Sequence, residues 1–288
     1  MFNKQHIVRT IAATASILAL SFTAACGSGQ STASNSADSN DITQQTYKPG
    51  KLTIATGQPA YEPWVMNDKP ESGEGYEAAV AYAVADKLGF KKSDVVWTRT
   101  AFDTAIAPGA KDWDLNIQQF GITDERKKAV DFSSSYYNDS QSVVVKKDSK
   151  FANATKVSDL KDATVGVMVG TLAYDYAKAN IKDDIQTFND DAALAQALDA
   201  GQIDALVTST VECVYMVQSE QVKDAKVLGR LPDSEDKSGM GIVLPKDSKL
   251  TAAVTKAVEV TVNADGTIKK LQDKWLAEYT TDLTELKK

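Results

Sequence analysis

Histidine and cysteine are nearly absent from this sequence: the 288 residues hold one histidine and two cysteines. The histidine, His6, falls in the first 25 residues, which have the composition of an export signal. Once those are removed, no imidazole remains for a Ser-His-Asp or Cys-His site or for a zinc site. No catalytic histidine, metal or cofactor is therefore expected. Cys26 stands at the end of the signal, which leaves Cys213 without a partner for an internal disulfide. With no histidine to activate it, Cys213 reads as a small buried apolar side chain. There is no G-x-x-x-x-G-K-[ST] and no strand followed by G-x-G-x-x-G, so nucleotide binding has no support. Basic residues are also outnumbered, 32 against 39 acids. Cleavage after residue 25 removes Lys4 and Arg9 and no acid, taking the formal charge from −7 to −9. An acidic body argues against nucleic acid as a partner and against a basic face lying on anionic lipid.

What is present begins with a basic start, MFNKQHIVR, and a short apolar run from Thr10 to Phe22. The run is too short to span a bilayer, which takes ~20 apolar residues. Thr23-Ala24-Ala25-Cys26 resembles a lipobox, with Thr23 departing from the usual leucine. The expectation is a lipoprotein signal over 1–25, a diacylated Cys26 and anchorage to the outer face of the cell membrane. An ordinary signal with an incidental cysteine is the competing reading. Residues 26–47 are rich in Ser, Asn, Gln and Thr and read as a flexible tether.

From Leu52 onward, short apolar runs alternate with amphipathic segments, which predicts an α/β fold. KLTIATG, DVVWTRT, DWDLNIQQ, SVVVKK, ATVGVMVGT, DIQTFN, IDALVTS and GMGIVLP read as strands. Helices are expected over GYEAAVAYAVADKLGF, from Phe102 to about Ala107, from Thr123, from a cap at Ser158, over Leu172–Ala179 and over DAALAQALDAG. The last two are expected on the Leu250, Val254, Val258, Val262 stripe and on Ile268, Leu271, Trp275 and Tyr279. Two successive α/β units suggest two lobes, with a ligand in the crevice beyond the strand ends.

Four segments in order carry a specific resemblance. GYEAAVAYAVADKLGF, GITDERKKAVDFSSSYY, ATVGVMVGT and NADGTIKKLQDKWL resemble elements of the family 3 extracellular solute-binding proteins, which serve ABC importers of polar amino acids. The likeness runs from about Leu52 to Leu276. It implies a two-lobed, type II periplasmic-binding-protein-like fold with the cleft between lobes. Lobe 1 would comprise 48–138 plus 240–288, and lobe 2 would comprise 139–239. It implies a monomer that captures a small amino acid or similar carboxylate and delivers it to an ABC permease. Arg126 matches the arginine that holds the ligand's carboxylate, a bidentate task suited to guanidinium; a surface arginine paired with Asp124 or Glu125 is the alternative. Gly170-Thr171, between a strand and a helix, offers amides and a hydroxyl to the same anion. Tyr61 and Phe102 match positions flanking the ligand side chain, Phe102 serving the core equally well. Gln118, Gln119 and Gly121 complete the expected lining.

One departure bears on the ligand. Many family members carry an Asp for the ligand ammonium where this chain has Ser209, and a hydroxyl cannot neutralise a buried cation. Two readings remain: Glu212 substitutes, or the ligand lacks the ammonium. Two further readings stay open: an exported enzyme on the same fold, of the cyclohexadienyl or arogenate dehydratase kind, using a carboxylate, Lys or Tyr as its acid or base; and a sensor or adhesin.

Overall fold

The computed structural model describes residues 41–280 and 283–288, so the expected signal, Cys26 and the tether as far as residue 40 lie outside the described residues. The chain first lays down β1 (Leu52–Thr56), α1 (Tyr76–Lys87), β2 (Val95–Arg99), α2 (Phe102–Ile106), β3 (Leu115–Asn116) and β4 (Val130–Tyr137). It continues through β5 (Gln141–Lys146), β6 (Val165–Met168), α3 (Leu172–Asn180), β7 (Gln186–Phe188), α4 (Asp191–Asp199), β8 (Ala205–Ser209), α5 (Thr210–Gln218) and β9 (Ala225–Arg230). It closes with β10 (Met240–Pro245), α6 (Thr251–Glu259) and α7 (Thr267–Trp275).

These strands form two five-stranded sheets, ordered β2-β1-β3-β10-β4 and β7-β6-β8-β5-β9. In the first, β1 runs parallel to β2 and β3, while β10 is antiparallel to β3 and β4. In the second, β6 is parallel to β7 and β8, while β5 is antiparallel to β8 and β9. The chain passes to the second sheet between Tyr137 and Gln141 and returns between Arg230 and Met240. The two-lobed α/β architecture expected from the sequence is the observed one.

Each lobe buries a core of its own, and Val211 of α5 reaches into that of the first. LTIAT is buried at every position because helices cover both faces of the first sheet. Val80, Ala81, Val84, Ala85 and Leu88 of the α1 segment pack there with Ile268 and Leu276. Gly89, at φ 86°, ends that helix in a left-handed turn. The second lobe buries Val143, Val145, Val165 and Val207 on one side of its sheet, and Val144, Leu194, Leu198 and Leu206 on the other.

Four expectations are corrected. Residues 41–47 are not leash: Thr46 is buried, Ile42 packs on the first core, and the Tyr47 amide donates to Asp114 at 2.5 Å. Ser158 caps nothing; it lies inside a single 3-10 turn, Val157–Leu160, whose two apolar residues are buried. DWDLNIQQ pairs only at Leu115–Asn116, since Gln119 turns away at φ 51°. Finally, the end of the chain leaves lobe 1. Glu285 bridges to Arg230 and Lys287 to Lys156, and Leu286 enters the second core at 4% exposure. An isolated leucine in a polar tail is drawn to the nearest apolar cavity, here the flank of β9. Gly229 permits it, because a Cβ there would stand 2.5 Å from the Thr284 carbonyl.

Leu286→Ala is expected to destabilise the protein by about 2–5 kcal/mol, measured as a lower denaturant midpoint. A midpoint unchanged within error would show the tail to be adventitious.

Candidate functional site

Between the lobes lies a cleft with about 890 Å³ of empty space, open solvent at its mouth included. The loop after β1 supplies Tyr61 and Trp64, the start of α2 supplies Phe102, and the segment after β3 supplies Gln118, Gln119, Gly121 and Arg126. The opposite wall comes from Thr171 before α3, Asp191 opening α4, Thr208 and Ser209 ending β8, and Glu212 in the first turn of α5. Of the residues expected at the site, Gly170 alone is outside the lining; it is exposed.

Arg126 sits at the seam. Its guanidinium donates to the Gly121 carbonyl at 2.7 Å in the first lobe and to the Gly170 carbonyl at 2.8 Å in the second. Phe102 lies beneath it, 5.5 Å from the ring centroid, and stacks in turn on Phe120, so Phe102 serves pocket and core together. Asp124 and Glu125 pair with Lys127 and Lys128, not with Arg126. Burial opposes the charge on Arg126, and Asp175 and Asp236 favour it. The two carbonyls orient the guanidinium without neutralising it, leaving further N–H donors.

Several expected donors have other duties. The Thr171 hydroxyl donates to the Met168 carbonyl at 2.8 Å and accepts from the Tyr174 amide at 3.2 Å, so it caps α3. Ser209 caps α5, accepting from the Glu212 amide at 3.3 Å. Gln119 donates from both its backbone and its side chain to Glu77, a fully buried carboxyl that Tyr136 also contacts. Burial pushes Glu77 up to about 7 against those three donors.

Sequence reasoning missed the acids of the opposite wall, apart from naming Glu212. Asp190 caps α4 through the Ala193 amide at 2.8 Å, which leaves Asp191 free to face the cleft. Among the described residues its side chain accepts one hydrogen bond, from the Thr208 hydroxyl at 3.5 Å, and burial, then Asp190, pushes its carboxyl up to about 6. Glu212 is 4% exposed. Its Oε2 accepts from Trp64 Nε1 across the cleft at 3.2 Å. Burial first and Asp191 next hold Glu212 well above the usual carboxylate range. Glu212 Oε1, Gln118 Oε1 and Asp236 Oδ2 are buried with no hydrogen-bond partner among the described residues. Nothing in NDDAALAQ separates the capping aspartate from the cleft aspartate, so no sequence signal could have singled out Asp191.

Residues 52–278 match the model of the bacterial extracellular solute-binding proteins, family 3. The chain belongs to that family. It is 28% identical over 246 residues to the L-arginine-binding protein of Pseudomonas aeruginosa, covering 80% of this chain and 88% of that one. It is 30% identical over 218 residues to the L-cystine-binding protein TcyJ of Escherichia coli, covering 75% and 79%. Among solved structures it is similar to an ancestral arginine-binding protein bound to arginine, with TM-score 0.67, 31% identity, and coverage of 79% and 99%. Among the described residues of this solute-binding protein, no group of three or more His, Cys, Asp or Glu is placed to hold a metal, and no helix is long and apolar enough to cross a membrane.

The lobes approach closely at Gly121. A Cβ there would stand 2.6 Å from Leu172 of the second lobe and 2.8 Å from Asp236. Gly121→Ala is expected to cost the closed form about 1–3 kcal/mol. X-ray scattering should report a larger radius of gyration at an unchanged circular dichroism spectrum; an unchanged radius would contradict it.

Proposed function

We propose that this protein is the tethered receptor of an ABC importer and that it captures a small amino acid by closing its lobes. Arg126 takes the ligand's carboxylate, and Asp191 with Glu212 takes the ammonium that Ser209 cannot neutralise. The observation that carries this reading is the opposition of charge across one cleft: a seam guanidinium on the first lobe faces unsatisfied carboxyl groups on the second. A zwitterion matches both ends, and neither lobe alone holds both partners. The names of the relatives support an amino acid without fixing which one, since one names arginine and another cystine. Charge narrows the choice. Among the described residues, Arg126 is the one cation of the lining, against Asp139, Asp191, Glu212 and Asp236. Neutral and cationic amino acids are therefore favoured over acidic ones. Tyr61, Trp64 and Phe102 provide apolar faces at low entropic cost, while Gln118 and Gln119 limit the length of the side chain.

Capture then proceeds as a two-state closure. The ligand carboxylate displaces water from the remaining N–H donors of Arg126, which already spans the seam. Lipid on Cys26 and the following residues keep the receptor at the outer membrane face, which raises its local concentration at the permease. It acts as a monomer, with no nucleic-acid partner.

Isothermal calorimetry against the amino acids and their deaminated analogues tests this. One or more neutral or cationic amino acids should bind, aspartate and glutamate least, and the deaminated analogue of the best ligand much more weakly. Arg126→Ala should cost about 2–5 kcal/mol, roughly a 30- to 5,000-fold loss of affinity. Unchanged affinity in that variant sinks the carboxylate assignment.

A second reading is favoured by one observation. Glu212 is a buried carboxyl held well above its usual range beside Trp64, and such an acid can donate its proton to a leaving hydroxyl. Incubation of the protein with prephenate and with arogenate, followed by absorbance, distinguishes a dehydratase from a receptor: no turnover is expected, and turnover abolished in Glu212→Gln would replace the receptor reading.

A further inference from the structure

We propose that Asp191 and Glu212 form a proton-sharing pair that recognises the ligand's positive end by exchange, so that capture of an ammonium releases a proton to solvent. The inference rests on the receptor reading and adds the rule by which the cleft reads charge.

Both side chains line one cavity from neighbouring helix starts. Glu212 is in the N3 position of α5 in a Ser-x-x-Glu pattern, which ordinarily sends the glutamate back to the helix start. Only half of that box forms. Ser209 accepts from the Glu212 amide, while the carboxyl goes to Trp64 of the other lobe and leaves Oε1 without a partner. The charged groups acting on Glu212 are Asp191 from α4, Asp139 from the crossing between lobes and Glu77 from α1; Asp190 acts on Asp191, and the Tyr61 phenol lies within the field of the pair. All four of these charged neighbours are acids. Arg126 has Asp175 and Asp236 as its charged neighbours instead.

Two carboxyl groups on one buried wall, with only acids as the charged groups acting on them, do not both ionise, so the pair keeps one proton between them. Trp64 Nε1 fixes Oε2 as an acceptor. An arriving ammonium brings three N–H donors and a positive charge. The carboxyl O–H bond breaks, the proton passes to buffer, and two carboxylates then face one cation; no electrons move. A ligand without a cation leaves the proton in place and gains nothing from the pair. The sign for pH follows. Below the raised carboxyl range, binding must expel the proton, so affinity rises with pH by up to about tenfold per unit. Above that range the pair is already ionised, and affinity is flat until the ligand ammonium itself titrates.

Titration calorimetry with L-arginine and the neutral amino acids, at about pH 6.5 in phosphate and in Bis-Tris, counts the protons. The heats should differ between buffers by an amount equal to release of a substantial fraction of one proton per ligand. Glu212→Gln should abolish that release and bind more weakly. Binding with equal heats in both buffers overturns the exchange while leaving the receptor standing. If no amino acid binds, the receptor reading falls, and infrared spectroscopy of the free protein decides the pair. A carboxylic C=O band present in the wild type and lost in Glu212→Gln supports the shared proton; superimposable carboxylic regions overturn it.

Discussion

A half-buried guanidinium needs acceptors, and Arg126 finds them on both lobes at once. That single requirement ties the fold to closure. The Gly121 carbonyl belongs to the first lobe, while the Gly170 carbonyl belongs to the turn ahead of α3 in the second. Charge-assisted hydrogen bonds of this kind are roughly twice as strong as neutral ones, so the seam favours the closed form before any ligand contributes. The carbonyls leave the positive charge in place, which makes the same group attractive to a carboxylate.

The lobes are joined by a small apolar contact and several polar ones. Most of each aliphatic core comes from its own lobe, but Val211 of α5 is buried in the first cluster and Tyr215 meets Tyr279 edge-on; further contacts are polar and directional: Arg126 to Gly170, Trp64 to Glu212, and Tyr215 to Glu62 at 3.1 Å. Such contacts exchange with water at little net cost, typically about 0.5–1.5 kcal/mol each, whereas splitting an apolar core would be prohibitive. The tail adds a further crossing, since Leu276 lies in the first core and Leu286 in the second.

Regular periodicity was legible and irregular chemistry was not. The α1 segment, the buried valine runs and the stripe of α7 declare themselves because burial on a face repeats at the helical or strand period. β4 does not, for VDFSSSYY mixes serine into a strand whose hydroxyls work locally: Ser133 Oγ accepts the Ile242 amide at 2.9 Å. α5 and β9 escaped because TVECVYMVQ has no clean polar face; a buried glutamate and a buried cysteine lie among its apolar residues. At the site, Arg126 stood out by its setting, and the neighbouring salt bridges of Lys127 and Lys128 removed the alternative. Asp191 could not be seen, because its role depends on Asp190 having taken the cap.

The exchange of roles between Ser209 and Glu212 follows the same logic. An aspartate at the end of β8 would face two demands, capping α5 and meeting a cation, with one short side chain. Serine satisfies the first alone: its oxygen accepts the Glu212 amide, and its hydroxyl reaches Asp139. The second demand then falls one turn along, to a glutamate relieved of capping and long enough to meet Trp64 across the seam. The cost is a second acid beside Asp191 in a site that water leaves as the lobes close. A carboxyl group in that position is stable as a neutral acid and becomes stable as an anion only when a cation arrives. Under the proposed exchange, the charge state of this wall is tied to occupancy, which a lone aspartate at the strand end would not achieve.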